Sequence, residues 1–393
     1  MDELNELHLK LRAAIADELP AAVALRHRLH ADPRLSGDEA DTAAEVVRAL
    51  GAGPGQRVAD TGRVVRIGDR GPAVALRAEL DALPVVERTG APWASANNAM
   101  HACGHDVHLA ALVAVCRAAE RIGVDVPILA VLQPREETSP SGAEDIVGSG
   151  ILTDHDVRAM VAAHVQPRLA DGVVAVTPGP VNAATDEFEV TVTGLGGHAG
   201  YPHVARDPVL ALCQIVVSLQ HLASRRFDPV LGAVCSVGQI GGGTAANVVP
   251  ETASARGTVR VMRDSDRAVA ASLITEIVTH TAAAHGCEGH AHFSPGEPVL
   301  VNDPALAADA AGRLTDDGVT VDAGFRSYGA DDFSHYCDVT RGLMMFIGTA
   351  PPDATDAPGL HTERFLPGDH MVGRTADALL AGYLAAIRTA VTP

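Results

Sequence analysis

Between Glu187 and Pro295 the apolar residues change rhythm, and that change limits the folds open to the chain. EFEVTVTG reads as a strand, DPVLALCQIVVSLQHLAS as a helix, AVCSVGQIGGG and ETASARGTVRVM as two more strands, DRAVAASLITEIVTHTAAAHG as a second helix and EGHAHFSP as a closing strand. A βαββαβ order suits a small, ferredoxin-like sheet with its helices on one face. On either side the style differs. AVALRAEL, PILAVLQP, RAMVAAH and GLMMFIG are short apolar runs of the kind buried in parallel sheets, and helical stretches lie between them. The expected fold is α/β: a larger α/β/α domain formed by residues 1–182 and 295–393, with a smaller α+β domain inserted at 183–294. PAAVALRHRLHA, with Pro20 leading, reads as a first helix, and DPRLSGDEADTAAEVVRAL as a loop and a second helix.

At 393 residues the chain is too long for one ordinary core, which agrees with two domains. Aromatic residues are only 3%, so the core must be aliphatic. The formal net charge of -19 would repel phosphates, and nucleic acid is not an expected partner. MDELNELHLK carries acids where a signal peptide needs a basic region and an apolar run. No stretch approaches the roughly 18 apolar residues of a membrane span. The cysteines at 103, 116, 213, 235, 287 and 337 form no CxxC pair and read as reduced thiols. The expectation is a cytoplasmic protein without membrane contact. Cys116, Cys213 and Cys235 lie in apolar runs and read as small core residues.

MHACGHDVH, residues 100–108, gathers histidines, a cysteine and an aspartate in one short run before a helix. Other metal-binding residue types fall at the ends of the expected strands. Asp81 follows AVALRAEL, Glu136 and Glu137 follow PILAVLQP, and His164 closes RAMVAAH. Sites in open α/β sheets gather outside the carboxyl ends of the strands. Cys103, His105, Glu136, Glu137 and His164 therefore converge on one edge. Of two adjacent glutamates there, one can bind metal while the other stays free as a base. Alone, such a pair would read as an exposed acidic loop. His27 and His30 read as structural, His101 and His108 as supports flanking the ligand pair, and Asp331 and Asp332 as helix caps.

Once these strings are aligned, the chain resembles the M20 metallopeptidase and amidohydrolase family. Within it, the similarity is to aminoacylases: hippurate hydrolases, N-acyl-amino-acid amidohydrolases and auxin-conjugate hydrolases. The resemblance rests on RHRLHADPRLSGDE (26–39), RAELDALP (77–84), MHACGHDVH, LQPREE (132–137), AAHV (162–165), GLGGHAGYPH (194–203), GGGTAANVVP (241–250), GTVR (257–260), GADDFSHY (329–336) and LHTERF (360–365), all in order. It implies that Cys103, His105, Glu137, His164 and His361 bind two divalent metal ions, and that Glu136 is the general base. It implies that Asp81 supports the metal centre and that His198 stabilises the reacting carbonyl. Asn247 and Arg260 would hold the substrate backbone and its carboxylate, for which a guanidinium fork is well shaped. A thiolate and imidazoles suit Zn, Mn, Co or Ni better than Mg or Ca. The resemblance also implies a homodimer formed through the inserted domain, which would serve as a lid.

The chain departs from the subgroup in places. Glu79 stands where related branches carry a metal-binding histidine, Arg135 where small residues are common, and Asp331 where glutamate is usual. None of these removes a ligand. The expected activity is hydrolysis of N-acyl amino acids to a carboxylic acid and a free amino acid. The alternatives are a dipeptidase or carboxypeptidase on the same scaffold, and a binding protein that has lost the chemistry.

Overall fold

The computed structural model describes residues 3–69, 71–228, 230, 232–351 and 358–391. The chain divides into two compact units. One comprises Met1–Gly179, Val301–Phe325 and Asp332–Pro393, and the other Pro180–Leu300 and Arg326–Asp331.

The larger unit is built on an eight-stranded mixed sheet. Its strand order is Gln56–Val58, Gly62–Ile67, Ile128–Gln133, Ala73–Glu79, Val157–Ala170, Arg341–Ala350, Val173–Ala175 and Thr320–Asp322. Ala73–Glu79 runs parallel to both Ile128–Gln133 and Val157–Ala170, and Val157–Ala170 is parallel to Arg341–Ala350. These central strands are largely buried, hence their mainly apolar sequences, with Arg77, Glu79 and Gln133 as buried polar exceptions. The core is aliphatic, with Val74, Leu76, Leu132, Val161 and Met345 in contact with helix residues such as Leu25, Leu112 and Leu384.

The first helix starts earlier than its sequence suggests. It spans Glu3–Ala31 with Pro20 inside it. A proline there removes one backbone hydrogen bond. Leu11, Ile15, Ala22, Leu25 and Leu29 are nevertheless buried along the helix on both sides of Pro20, and that apolar stripe carries it through. The Val157–Ala170 strand also runs beyond His164, so that histidine lies within the strand and not at its end.

The smaller unit carries a four-stranded antiparallel sheet in the order Ala233–Gly242, Thr252–Val261, Ala184–Thr193, Glu288–Pro295. Phe188, Val190 and Val192 alternate on one strand, and Ala253, Ala255 and Val259 on its neighbour. These side chains pack against the helices Pro208–Arg225 and Ser265–Ala284. The first helix buries Ala211, Leu212, Ile215, Leu219 and Leu222 at helical spacing. Cys213 therefore points away and is exposed, against the expectation of a core residue, while Cys235 is partly buried against this core and Cys116 is buried. The segment Arg326–Asp331 joins this unit because Ser327 exchanges main-chain hydrogen bonds with Val181 and Ala183. Among the described residues, no helix is long and apolar enough to cross a membrane.

Candidate metal centre

Asp81, Glu136 and Glu137 of the larger unit follow the ends of its parallel strands, and His164 lies within one. Ala73–Glu79 and Ile128–Gln133 finish level, with Glu79 opposite Gln133. Asp81 and the pair Glu136–Glu137 therefore emerge together. Cys103 and His105 flank Gly104, which precedes the helix His105–Ile122. Gly104 has φ +83°, and a Cβ there would lie 2.5 Å from Val165 Cγ2. Only glycine permits both the left-handed turn and that approach.

Main-chain carbonyls orient two of the imidazoles. His105 Nδ1 lies 2.8 Å from the Asp81 carbonyl oxygen, and His164 Nδ1 lies 2.7 Å from that of Val165. A ring nitrogen facing a carbonyl must carry the proton, so in the neutral ring each Nε2 keeps its lone pair. His164 Nε2 faces Cys103 Sγ at 3.4 Å, and His105 Nε2 lies 3.8 Å from Glu136 Oε2. His361 completes the arrangement, with Nε2 3.3 Å from Glu137 Oε1. Its backbone is tied to Ala102 by a 2.8 Å hydrogen bond.

Ligand atoms of Cys103, His105 and His164 lie within 4.8 Å of one another; so do those of Cys103, Glu137 and His361, and those of His105, Glu136 and Glu137. Cys103 thus belongs to two groups, and so do His105 and Glu137. The site gathers negative charge in a buried place. Burial and the carboxylates of Glu137 and Glu136 push the Cys103 thiol well up. Asp81 Oδ1, His105 Nε2 and Glu137 Oε1 are buried and lack a well-formed hydrogen bond, the last two having ionic contacts with Glu136 and His361 respectively. A thiol, imidazoles and buried carboxylate oxygens are a donor set that fits divalent cations.

Asp81 acts differently from a simple imidazole partner. Its main-chain oxygen, not its carboxylate, takes the His105 proton. The carboxylate Oδ2 accepts the Glu137 amide at 3.0 Å and the Ser36 hydroxyl at 2.6 Å. His108 donates from Nδ1 to Glu79 at 2.9 Å and accepts the Val165 amide on Nε2 at 3.0 Å, so both ring nitrogens are engaged. Burial opposes ionisation of Glu79, but Arg77 and His108 hold its carboxyl well below the usual range. Arg77 also reaches Gln133 and Asp332, at 2.9 and 2.7 Å. Asp332 is a buried tie between strands, a role its sequence context did not reveal. His101 is buried and pushed down to about 3 by desolvation, so its ring is neutral.

Among residues of the smaller unit, His198 and Asn247 come together. His198 pairs with Val248 across a two-stranded ribbon, and the Ala199 amide donates to the Asn247 carbonyl at 3.0 Å. His198 Nδ1 accepts the Gly200 amide at 3.0 Å, so the neutral ring presents an Nε2 proton, and the side chain is exposed. Arg260, half-buried on Thr252–Val261, donates to the Tyr328 carbonyl at 2.7 Å.

The profile of peptidase family M20/M25/M40 matches residues 75–381. The chain belongs to this family. An N-acetyl-L-cysteine deacetylase of Bacillus subtilis (strain 168) is 35% identical to the M20 chain over 338 residues, covering 83% of it and 80% of the relative. An N-acetyldiaminopimelate deacetylase of Shouchella clausii (strain KSM-K16) is 33% identical over 310 residues, covering 78% and 81%. A Bacillus subtilis structure described as a dinuclear metal binding peptidase from the M20 family superposes with a TM-score of 0.81. It is 27% identical and covers 95% of this chain and 99% of its own. The M20 chain is accordingly a hydrolytic enzyme with a mixed α/β fold, as its sequence implied.

Proposed function

We propose that this M20 enzyme hydrolyses the amide bond of N-acyl amino acids, with Cys103, His105, Glu137, His164 and His361 holding two divalent ions. The observation that carries the reading is that two adjacent carboxylates have different neighbours. Glu137 sits with Cys103 and His361, while Glu136 Oε2 lies 3.8 Å from His105 Nε2. Divalent ions held there would polarise the scissile carbonyl and make a nearby water acidic. Glu136 takes the proton of the attacking water and delivers it to the leaving nitrogen. Asp81 holds the Glu137 amide and, through its main chain, the His105 ring. His198, with its proton on Nε2, is suited to donate to a carbonyl oxygen as negative charge develops. Asn247 and Arg260 are assigned the substrate backbone and its free carboxylate. Cleavage of acylated amino acids by the deacetylases among its relatives supports the substrate class.

The test pairs elemental analysis with a panel of N-acyl amino acids and dipeptides, run on enzyme as purified, stripped, and reloaded with Zn, Mn, Co or Ni. The expected result is about two ions per chain and metal-dependent release of amino acid from the acyl conjugates. Turnover confined to dipeptides would replace the substrate class. Bound metal with no turnover on any member would return the chain to the binding-protein reading.

The smaller unit is also proposed to pair with a second copy. Its Ala233–Gly242 strand is an edge strand, and Ile240, Val217 and Leu210 are exposed there and on the Pro208–Arg225 helix. Sedimentation should give a dimer that Ile240→Lys weakens; a monomer at micromolar concentration would count against it.

A further inference from the structure

The RLSGDE stretch at 34–39 contains no metal ligand, yet it reaches the catalytic strand ends at two points. Glu39 is fully buried although its neighbours Asp38 and Ala40 are exposed. Its carboxylate accepts three hydrogen bonds: from the Gly37 amide at 2.8 Å, the Thr61 hydroxyl at 2.7 Å and the Arg135 amide at 2.9 Å. Arg135 immediately precedes Glu136 and has φ +52°, a left-handed backbone that is costly for a residue with a side chain. Its carbonyl is held from the other side by the Gly142 amide at 3.1 Å. A Cβ on Gly142 would lie 1.8 Å from the Pro134 carbonyl oxygen, so the turn is closed there as well. Three residues earlier in the same stretch, Ser36 donates to Asp81 Oδ2 at 2.6 Å, the oxygen that also accepts the Glu137 amide. The stretch is itself anchored by the Ala82 amide, which donates to the Arg34 carbonyl at 2.8 Å.

We infer that Glu39 is a positioning residue: by accepting the Arg135 amide it holds the left-handed turn that sends Glu136 and Glu137 to separate tasks, and Ser36 holds Asp81 in step with that turn. The inference rests on the proposed roles of Glu136 and Glu137. What the turn needs is an acceptor at this point, not a charge. A glutamine can supply that acceptor to both amides and donate its NH2 group to Thr61, whose hydroxyl accepts as readily as it donates.

The test compares Glu39→Ala with Glu39→Gln, reading steady-state hydrolysis of the acyl conjugates, zinc affinity by chelator competition and hydrogen exchange at the Arg135 amide. E39A should lower kcat about 10- to 100-fold with KM near the parent value, weaken zinc binding by about tenfold or more, and release the Arg135 amide to fast exchange. E39Q should keep the amide protected and stay within about threefold of the parent in kcat. Parent-like kcat in E39A with a protected amide overturns the inference, and so does an E39Q as damaged as E39A. If E39A does not fold, the parent and E39Q decide: the Arg135 amide should be protected in both, and unstructured exchange in either overturns the inference. Failure of the hydrolysis assays in the parent enzyme would refute the functional reading and leave the exchange and zinc results to judge Glu39.

Discussion

Replacing Glu136 with glutamine is expected to lower kcat on acyl conjugates by about 10²- to 10⁴-fold while metal content and folding stay at parent levels. The change removes the capacity to take a proton and little else, because glutamine has nearly the same shape. That loss corresponds to about 3–5 kcal/mol of transition-state stabilisation. Glu136 lies 3.8 Å from His105 Nε2 but keeps 12% of its side chain exposed, so a water can reach it. KM should change far less than kcat, since a base acts in the chemical step and not in ground-state binding. Stopped assays on metal-loaded E136Q, with elemental analysis of the same sample, provide the check. A metal-replete variant that hydrolyses at the parent rate would remove Glu136 from the mechanism.

Removing Cys103 should have a comparably large effect by a different route. Its Sγ is common to the group with His105 and His164 and to the group with Glu137 and His361. Losing a ligand from one group would be expected to impair one ion; losing a shared one should impair both. Cys103→Ala is expected to weaken metal affinity by more than about 100-fold, beyond the usual cost of losing a supporting hydrogen bond. Hydrolysis should fall with it. Cobalt-loaded parent enzyme should show a near-ultraviolet band from sulfur-to-metal charge transfer, and C103A should lack it. Retention of about two tightly held ions by C103A would show that the thiol is not a ligand.

The contrast between these residues and Glu39 shows which features a sequence exposes. Cys103, His105, Glu136 and Glu137 stand out because several metal-binding residue types converge on one expected edge of the sheet, where any one of them alone would not. The alternating strands of the smaller unit stand out because a sheet with one buried face imposes a period of two. Glu39 carries no such mark. It sits in an acidic loop, and its burial depends on Thr61 and Arg135, both distant in sequence. Pro20 misled for a related reason: the rule that starts a helix at proline is local, whereas the packing that carries the helix past it is not. Asp81 was legible as a residue, but the use of its main-chain oxygen was not, since composition does not show which way a peptide group turns.

That main-chain oxygen bears on how the site withstands mutation. The protons of His105 and His164 are placed by the carbonyls of Asp81 and Val165, and every amino acid carries a carbonyl. No substitution at 81 or 165 can delete these acceptors, provided the strand keeps its path. The tautomers that leave both Nε2 atoms free are therefore inherited with the fold and shielded from drift in side chains. The exposure to mutation shifts to positions such as Gly104, where a single added carbon would meet Val165.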